Sequence, residues 1–168
     1  MSKGIDLRTG ATGYRDQLDR VRRYLNRVRA TAEDPNQRFI VDYQDDVWSF
    51  FQNCWHLKDW IRNDPILSDE VKDRIQNAVE SSTILAIAND MANGTKHLEL
   101  HKPRAGASFA HVHVGTLGNI NTLECMIEVL GDDHREFRAA RGIAVECVRE
   151  WERILETEGL PVRSNRSP

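Results

Sequence analysis

The chain lacks most of the features that identify a protein at sight. In 168 residues the longest unbroken apolar run is Ile84–Ala88, far too short to span a bilayer. The first four residues, Met1-Ser2-Lys3-Gly4, hold no apolar stretch of the secretory-signal kind. No Cys-x-x-Cys pair is present. Cys54, Cys125 and Cys147 are odd in number and widely spaced, which predicts reduced, buried thiols in a cytoplasmic protein. There is no glycine-rich phosphate loop, no nucleophile elbow and no His-Glu-x-x-His. The formal net charge is only −3, so bulk charge does not drive association with nucleic acid. What is present is 40% apolar and 29% charged residues, a globular mixture in a length suited to one core.

Periodicity divides the chain. Residues 1–13, with Gly4, Gly10 and Gly13, read as a loose arm. Tyr14, Leu18, Val21, Leu25 and Val28 then recur at alternating steps of four and three, one face of a first helix. Arg15, Arg20, Arg22, Arg23, Arg27 and Arg29 fill its other face, a solvated or phosphate-facing surface. Asp34-Pro35-Asn36-Gln37 has the form of a helix start. The second helix carries Phe39, Tyr43, Val47, Phe50, Cys54, Leu57 and Ile61 on one face, and Trp48, Phe51 and Trp55 on another. It should end near Asn63, because Pro65 disfavours helix at Asp64.

Ser68 can cap a third helix with the stripe Val71, Ile75, Ala78, Ser82, Leu85, Asn89 and Ala92, ended or kinked at Gly94. Residues 107–114 and 123–130 alternate as a β-hairpin spanning about 107–130, with Gly115–Asn119 as a longish loop and Phe109, His111 and His113 on one face. Asp133-His134-Arg135-Glu136 has the form of a capping box. It opens a last helix along Phe137, Ala140, Ala144, Cys147, Trp151 and Ile154, stopped by Gly159 and Pro161. Residues 161–168 read as a polar tail. The pattern predicts an all-α fold: a four-helix up-down bundle over residues 14–160, with the hairpin inserted before the last helix.

The chemistry-bearing stretch is Asn89 to Leu98. A helix continued past Gly94 places Asn89, Asn93, Lys96 and His97 on one face. Folding the second and third helices against each other near Ile66 brings Asp42 and Asp46 to within a turn of that level, with Arg38 near His97. His97 then offers a base, Lys96 a cation and Asn93 an amide for phosphate oxygens, with Asp42, Asp46, Asn89 and Arg38 as a supporting polar cluster. A purely structural seam fixing helix register is the alternative. A third possibility groups His97, His101, His111 and His113 as a metal site, but the spacings do not select one. The reading carries no metal and no cofactor.

The Asn93-Gly94-Thr95-Lys96-His97 step resembles the site motif of the HEPN superfamily, small prokaryotic helical bundles many of which are RNA-directed nucleases of toxin–antitoxin and phage-defence systems. That motif is an arginine followed at four to six residues by histidine, often with asparagine directly after the arginine. Asn93 and His97 match it; Ala92 stands where the arginine would be, with Arg38 or Lys96 as the nearby cations. The resemblance implies binding or metal-independent cleavage of RNA, a cognate protein partner and a site at a dimer cleft. The chain also looks like a group of bacterial helical-bundle proteins sharing the blocks Cys54-Trp55-His56-Leu57-Lys58-Asp59-Trp60 and Asn93-Gly94-Thr95-Lys96-His97-Leu98, a likeness that implies no activity. A homodimer is expected on independent grounds, because Trp48 and Trp55 give the second helix more apolar surface than one bundle core uses. No membrane partner is expected.

Overall fold

A computed structural model describes residues 13–33, 40–94, 105, 107–117, 120–130 and 135–162. Among them the order is α1 (Tyr14–Glu33), α2 (Ile40–Arg62), α3 (Asp69–Ser81), α4 (Thr83–Gly94), β1 (Ala107–Leu117), β2 (Ile120–Leu130), β3 (Arg135–Ala139) and α5 (Ala140–Thr157). The molecule is mostly helical, with an antiparallel sheet inserted before the last helix. The described residues hold five helices where the sequence pattern predicts four.

The first difference lies at Ser82. The expected third helix is two helices, because Ser82 adopts extended backbone angles (φ −82°, ψ 117°) as the C-cap of α3. Its hydroxyl accepts from the Leu85 amide at 3.4 Å and so also starts α4. Serine is suited to this: its oxygen replaces the backbone acceptor that a helix start lacks. The second difference follows Asp133. The expected helix start is preceded by strand: Arg135–Ala139 pair with Leu130–Met126, making a three-stranded sheet in the order β1-β2-β3. Helix α5 begins only at Ala140, and its N-cap Ala139 makes no side-chain capping bond. Pairing with an otherwise open strand edge outweighs the local capping signal. Phe137, expected on the helix stripe, is therefore on β3 and 51% exposed.

The hairpin forms as expected, but its loop is shorter. The ladder extends through Gly115 and Thr116 to the pair Leu117 and Ile120. A register shift between Phe109 and His111 puts Phe109 opposite Ile127, His111 opposite Met126 and His113 opposite Glu124. The side chains of Phe109, His111 and His113, expected on one face, are not among those described.

The stripes of α1 and α2 behave as read, with Phe39 and the expected helix start at residues 34–37 lying outside the described residues. Tyr14, Leu18, Val21, Leu25 and Val28 of α1 are buried, as are Tyr43, Val47, Phe50, Cys54, Leu57 and Ile61 of α2. Helix α2 is central, lying against α1, α4 and α5, while β2 lays Cys125 and Ile127 into the same core. Fully burying each aliphatic or aromatic side chain is worth roughly 1.5–3 kcal/mol, so this seam is the main source of stability. The second apolar face of α2 is also covered within the chain. Phe51 is fully buried, Trp55 is buried beneath the Lys58 ammonium at 3.9 Å, and Trp48 is half-buried against the core. Most of the surplus apolar surface that suggested a homodimer is therefore covered, with Trp48 partly so.

The ends are tied. Helix α2 stops at Arg62, as Pro65 requires, and buried Asp64 accepts from the Tyr14 amide at 3.0 Å and the Ile66 amide at 2.9 Å. Gly13, at φ +69°, approaches so closely that a Cβ there would lie 1.8 Å from an Asp64 oxygen. Gly159, also at φ +69°, closes α5 as expected. The segment read as a tail begins with two docked residues: Tyr14 donates its hydroxyl proton to the Pro161 carbonyl at 3.1 Å, and Arg22 donates to the Val162 carbonyl. Residues 1–12 of the expected arm and 163–168 of the tail lie outside the described residues.

Candidate functional site

The residues singled out in the sequence fall into two groups. Arg38, Lys96, His97 and His101 lie outside the described residues. Asn89 and Asn93 are brought together as their spacing requires. The Asn93 side-chain amide donates to Asn89 Oδ1 at 3.0 Å, one turn apart on α4. Asn89 Nδ2 in turn donates to Asp90 Oδ1 at 3.2 Å.

Asp90 is the member that sequence reasoning missed. It is 2% exposed, and its other oxygen accepts from the Ala105 amide at 2.7 Å. The chain Asn93–Asn89–Asp90–Ala105 thus runs from the half-buried last turn of α4 to a residue beyond the following connection. An acid flanked by an amide donor inside an apolar helix is the signal that could have marked Asp90. Burying a carboxyl without donors is costly, so such a residue demands partners. Its distant partner, the backbone at 105, leaves no trace in the sequence.

On α2, Asp42 is exposed and Asp46, one turn on, is buried. Tyr43, on the apolar stripe of α2, sends its hydroxyl to Glu124 Oε1 of β2 at 3.2 Å. Arg141 approaches the other Glu124 oxygen at 3.5 Å. Burial, reinforced by the Glu124 carboxylate, pushes the Tyr43 phenol well above its ordinary range. The same two causes, burial first, push the Cys125 thiol up to about 12. Neither group is poised to lose a proton near neutrality.

The cysteines carry no nucleophile. Cys54, Cys125 and Cys147 are all buried and free. Cys147 donates to the Ile84 carbonyl at 3.6 Å and adjoins Cys54, and burial raises its thiol well above the ordinary value. Among the described residues no three His, Cys, Asp or Glu side chains are grouped to hold a metal. The four histidines of the metal possibility lie outside that test: His97 and His101 are not among the described residues, and His111 and His113 are placed only by register. No helix among the described residues is long and apolar enough to cross a membrane.

One position bears on the resemblance. Ala92, which stands where the HEPN motif has arginine, is 1% exposed, so that position packs into the core and not into a cleft. Compared with family models, with curated proteins and with solved structures, the chain matches none.

Proposed function

We propose that the chain binds RNA through the C-terminal end of α4, in the setting of a prokaryotic defence or toxin module. Asn93 and Lys96 hold phosphate oxygens, and His97 supplies a proton donor beside them. The observation that carries this reading is the Asn89–Asn93 hydrogen bond, itself anchored by Asp90. One N–H of the Asn93 amide is held by Asn89, which fixes the group at the helix end and leaves the second N–H, without a partner among the described residues, to donate to an anionic oxygen. Binding is favoured over cleavage, because the buried Ala92 leaves the motif without its arginine at that position. A cognate protein partner and a twofold assembly belong to the same proposal. They rest on the resemblance, since the tryptophan face of α2 is mostly covered inside one chain.

The experiment compares wild type with Asn93→Ala and His97→Ala for binding and cleavage of a labelled RNA oligonucleotide, with thermal melting run in parallel. Loss of binding by both variants at wild-type stability supports the site. Unaltered binding by both removes it. RNA cleavage by wild type that His97→Ala abolishes shifts the reading from binding to catalysis.

A second reading is favoured by a specific observation. Both Asp90 oxygens and the Asn89 amide are engaged inside the molecule, as in a polar seam that fixes helix register in a non-catalytic interaction module. Variants that melt early and never lose RNA contact while folded select it.

A further inference from the structure

A second feature of the molecule points to an anion. Helices α1 and α5 flank an open groove of about 680 Å³ lined by Asn26 and Arg29 on one side and by Arg141, Gly142, Glu146 and Arg149 on the other. Arg141 and Arg149 are eight residues apart on one helix face, so they stand about 12 Å apart along the groove. Arg29 faces them from α1.

Most of the other described arginines are engaged, the exceptions being Arg23 and Arg62, which do not line the groove. Arg22, Arg74, Arg135, Arg138 and Arg153 each pair with a carboxylate. On α1, Arg20 lies over Trp60 and Arg27 over Tyr24. Arg29 and Arg149 are exposed and have no ion-pair partner among the described residues, and Arg141 has only the 3.5 Å approach of Glu124. Among the described residues the groove wall carries one acid, Glu146, held by Arg138 through both oxygens at 2.7 and 2.8 Å. In a chain of net charge −3, an open groove with two guanidinium groups that have no ion pair among the described residues, and a third weakly paired one, is a local concentration of positive charge.

We propose that this groove holds consecutive phosphates of an RNA backbone. Guanidinium forks match phosphate oxygens in pairs, and a row about 12 Å long exceeds one phosphate and fits a repeating anion. Among the described residues no aromatic side chain lines the groove to stack bases. Recognition is through the backbone, tolerant of sequence and sensitive to salt. The identity of the occupant rests on the RNA-binding reading above; the anion site rests on the groove itself.

The test is fluorescence anisotropy of the full chain with a labelled single-stranded RNA oligonucleotide across a salt series. Three neutralised phosphates give a log–log salt slope of about −2. Arg29→Glu with Arg149→Glu should weaken binding at least tenfold and flatten that slope, while Arg74→Glu with Arg135→Glu, the same charge change away from the groove, should not. The milder pair Arg29→Gln with Arg149→Gln gives the same direction if the reversed charges disturb folding. Equal binding by wild type and both variants of the Arg29 and Arg149 pair overturns the groove while leaving RNA binding elsewhere intact. Unchanged binding by Asn93→Ala and His97→Ala, with loss in the arginine variants, removes the α4 site and keeps the groove. Tripolyphosphate, followed by NMR of the arginine Nε–H groups, separates the anion from its source. Shifts at Arg29 and Arg149 with tripolyphosphate but none with RNA overturn RNA as the occupant, and shifts with neither overturn the proposal entirely.

Discussion

Asp64 and Asp90 invite comparison, because each is a nearly fully buried acid with both oxygens engaged, and they do different things. Asp64 accepts from two backbone amides, Tyr14 and Ile66. It joins the start of α1 to the turn after α2, and its donors lead nowhere else. Asp90 accepts from one backbone amide, Ala105, and from one side chain, Asn89, which continues to Asn93 at the end of α4. A buried carboxyl is thus not in itself a site. What matters is whether its donors end in the backbone or pass along side chains toward the surface.

Breaking the Asp64 end should have the larger effect. Asp64→Ala strands two backbone amides, one of them in a buried bond, and at roughly 1–3 kcal/mol for each unsatisfied group the expected loss is about 3 kcal/mol by denaturant unfolding. Gly13→Ala should approach the same loss, since the new Cβ meets the Asp64 carboxyl and the residue must hold φ +69°. A drop below about 1 kcal/mol in both would show that the α1–α2 junction relaxes freely.

Asp90→Ala should cost somewhat less, about 2 kcal/mol, because its donor Asn89 is a side chain that can turn away. Its distinctive outcome is local: hydrogen exchange at the Ala105 amide should accelerate while the Tyr14 amide stays protected. Asp64→Ala should show the reverse. Equal acceleration at both amides in either variant would mean that the two anchors unfold as one unit, and the contrast would fall.

Asn93→Ala should cost under about 1 kcal/mol, since the residue is half-buried and its removal leaves only Asn89 Oδ1 unpaired. A much larger loss would move Asn93 from the ligand end of the chain to the structural end.

The smallest effect at neutral pH is that of the buried thiols, which lack the donors that the two aspartates have. Cys125 titrates at about 12 in the folded chain, above its ordinary value of 9.0. The neutral thiol is thus favoured by folding. That contribution is complete below pH 9 and is lost as pH rises from 9 toward 12. Stability should be flat across neutrality and fall in that window, and Cys125→Ala should flatten the fall. An alkaline transition identical in the variant would assign it to other groups.

Much of the fold is legible in the chain. The α1 and α2 stripes, the stop before Pro65, the Ser68 cap, which accepts from Val71 at 3.4 Å, and the hairpin strands all follow from local spacing. So does the Asn89–Asn93 contact, because side chains four residues apart on a helix are neighbours whatever the tertiary fold. Tyr43 was the instructive exception. Its burial was readable, but not its hydroxyl partner, which lies 81 residues away on β2.

The sequence by itself therefore determined where apolar faces lie and which side chains meet within a turn, since both depend on the periods of helix and strand alone. Three matters were decided only by tertiary structure. Residues 135–139 became strand because β2 offered an edge whose amides and carbonyls needed partners. Trp55 and Phe51 were covered inside one chain because the helices and sheet closed around α2. Arg29, Arg141 and Arg149 came to share one groove because α1 and α5 pack side by side, although more than a hundred residues separate Arg29 from the other two. Proximity of that kind is set by the burial of the apolar faces, which is non-directional and carries the charged faces along with it.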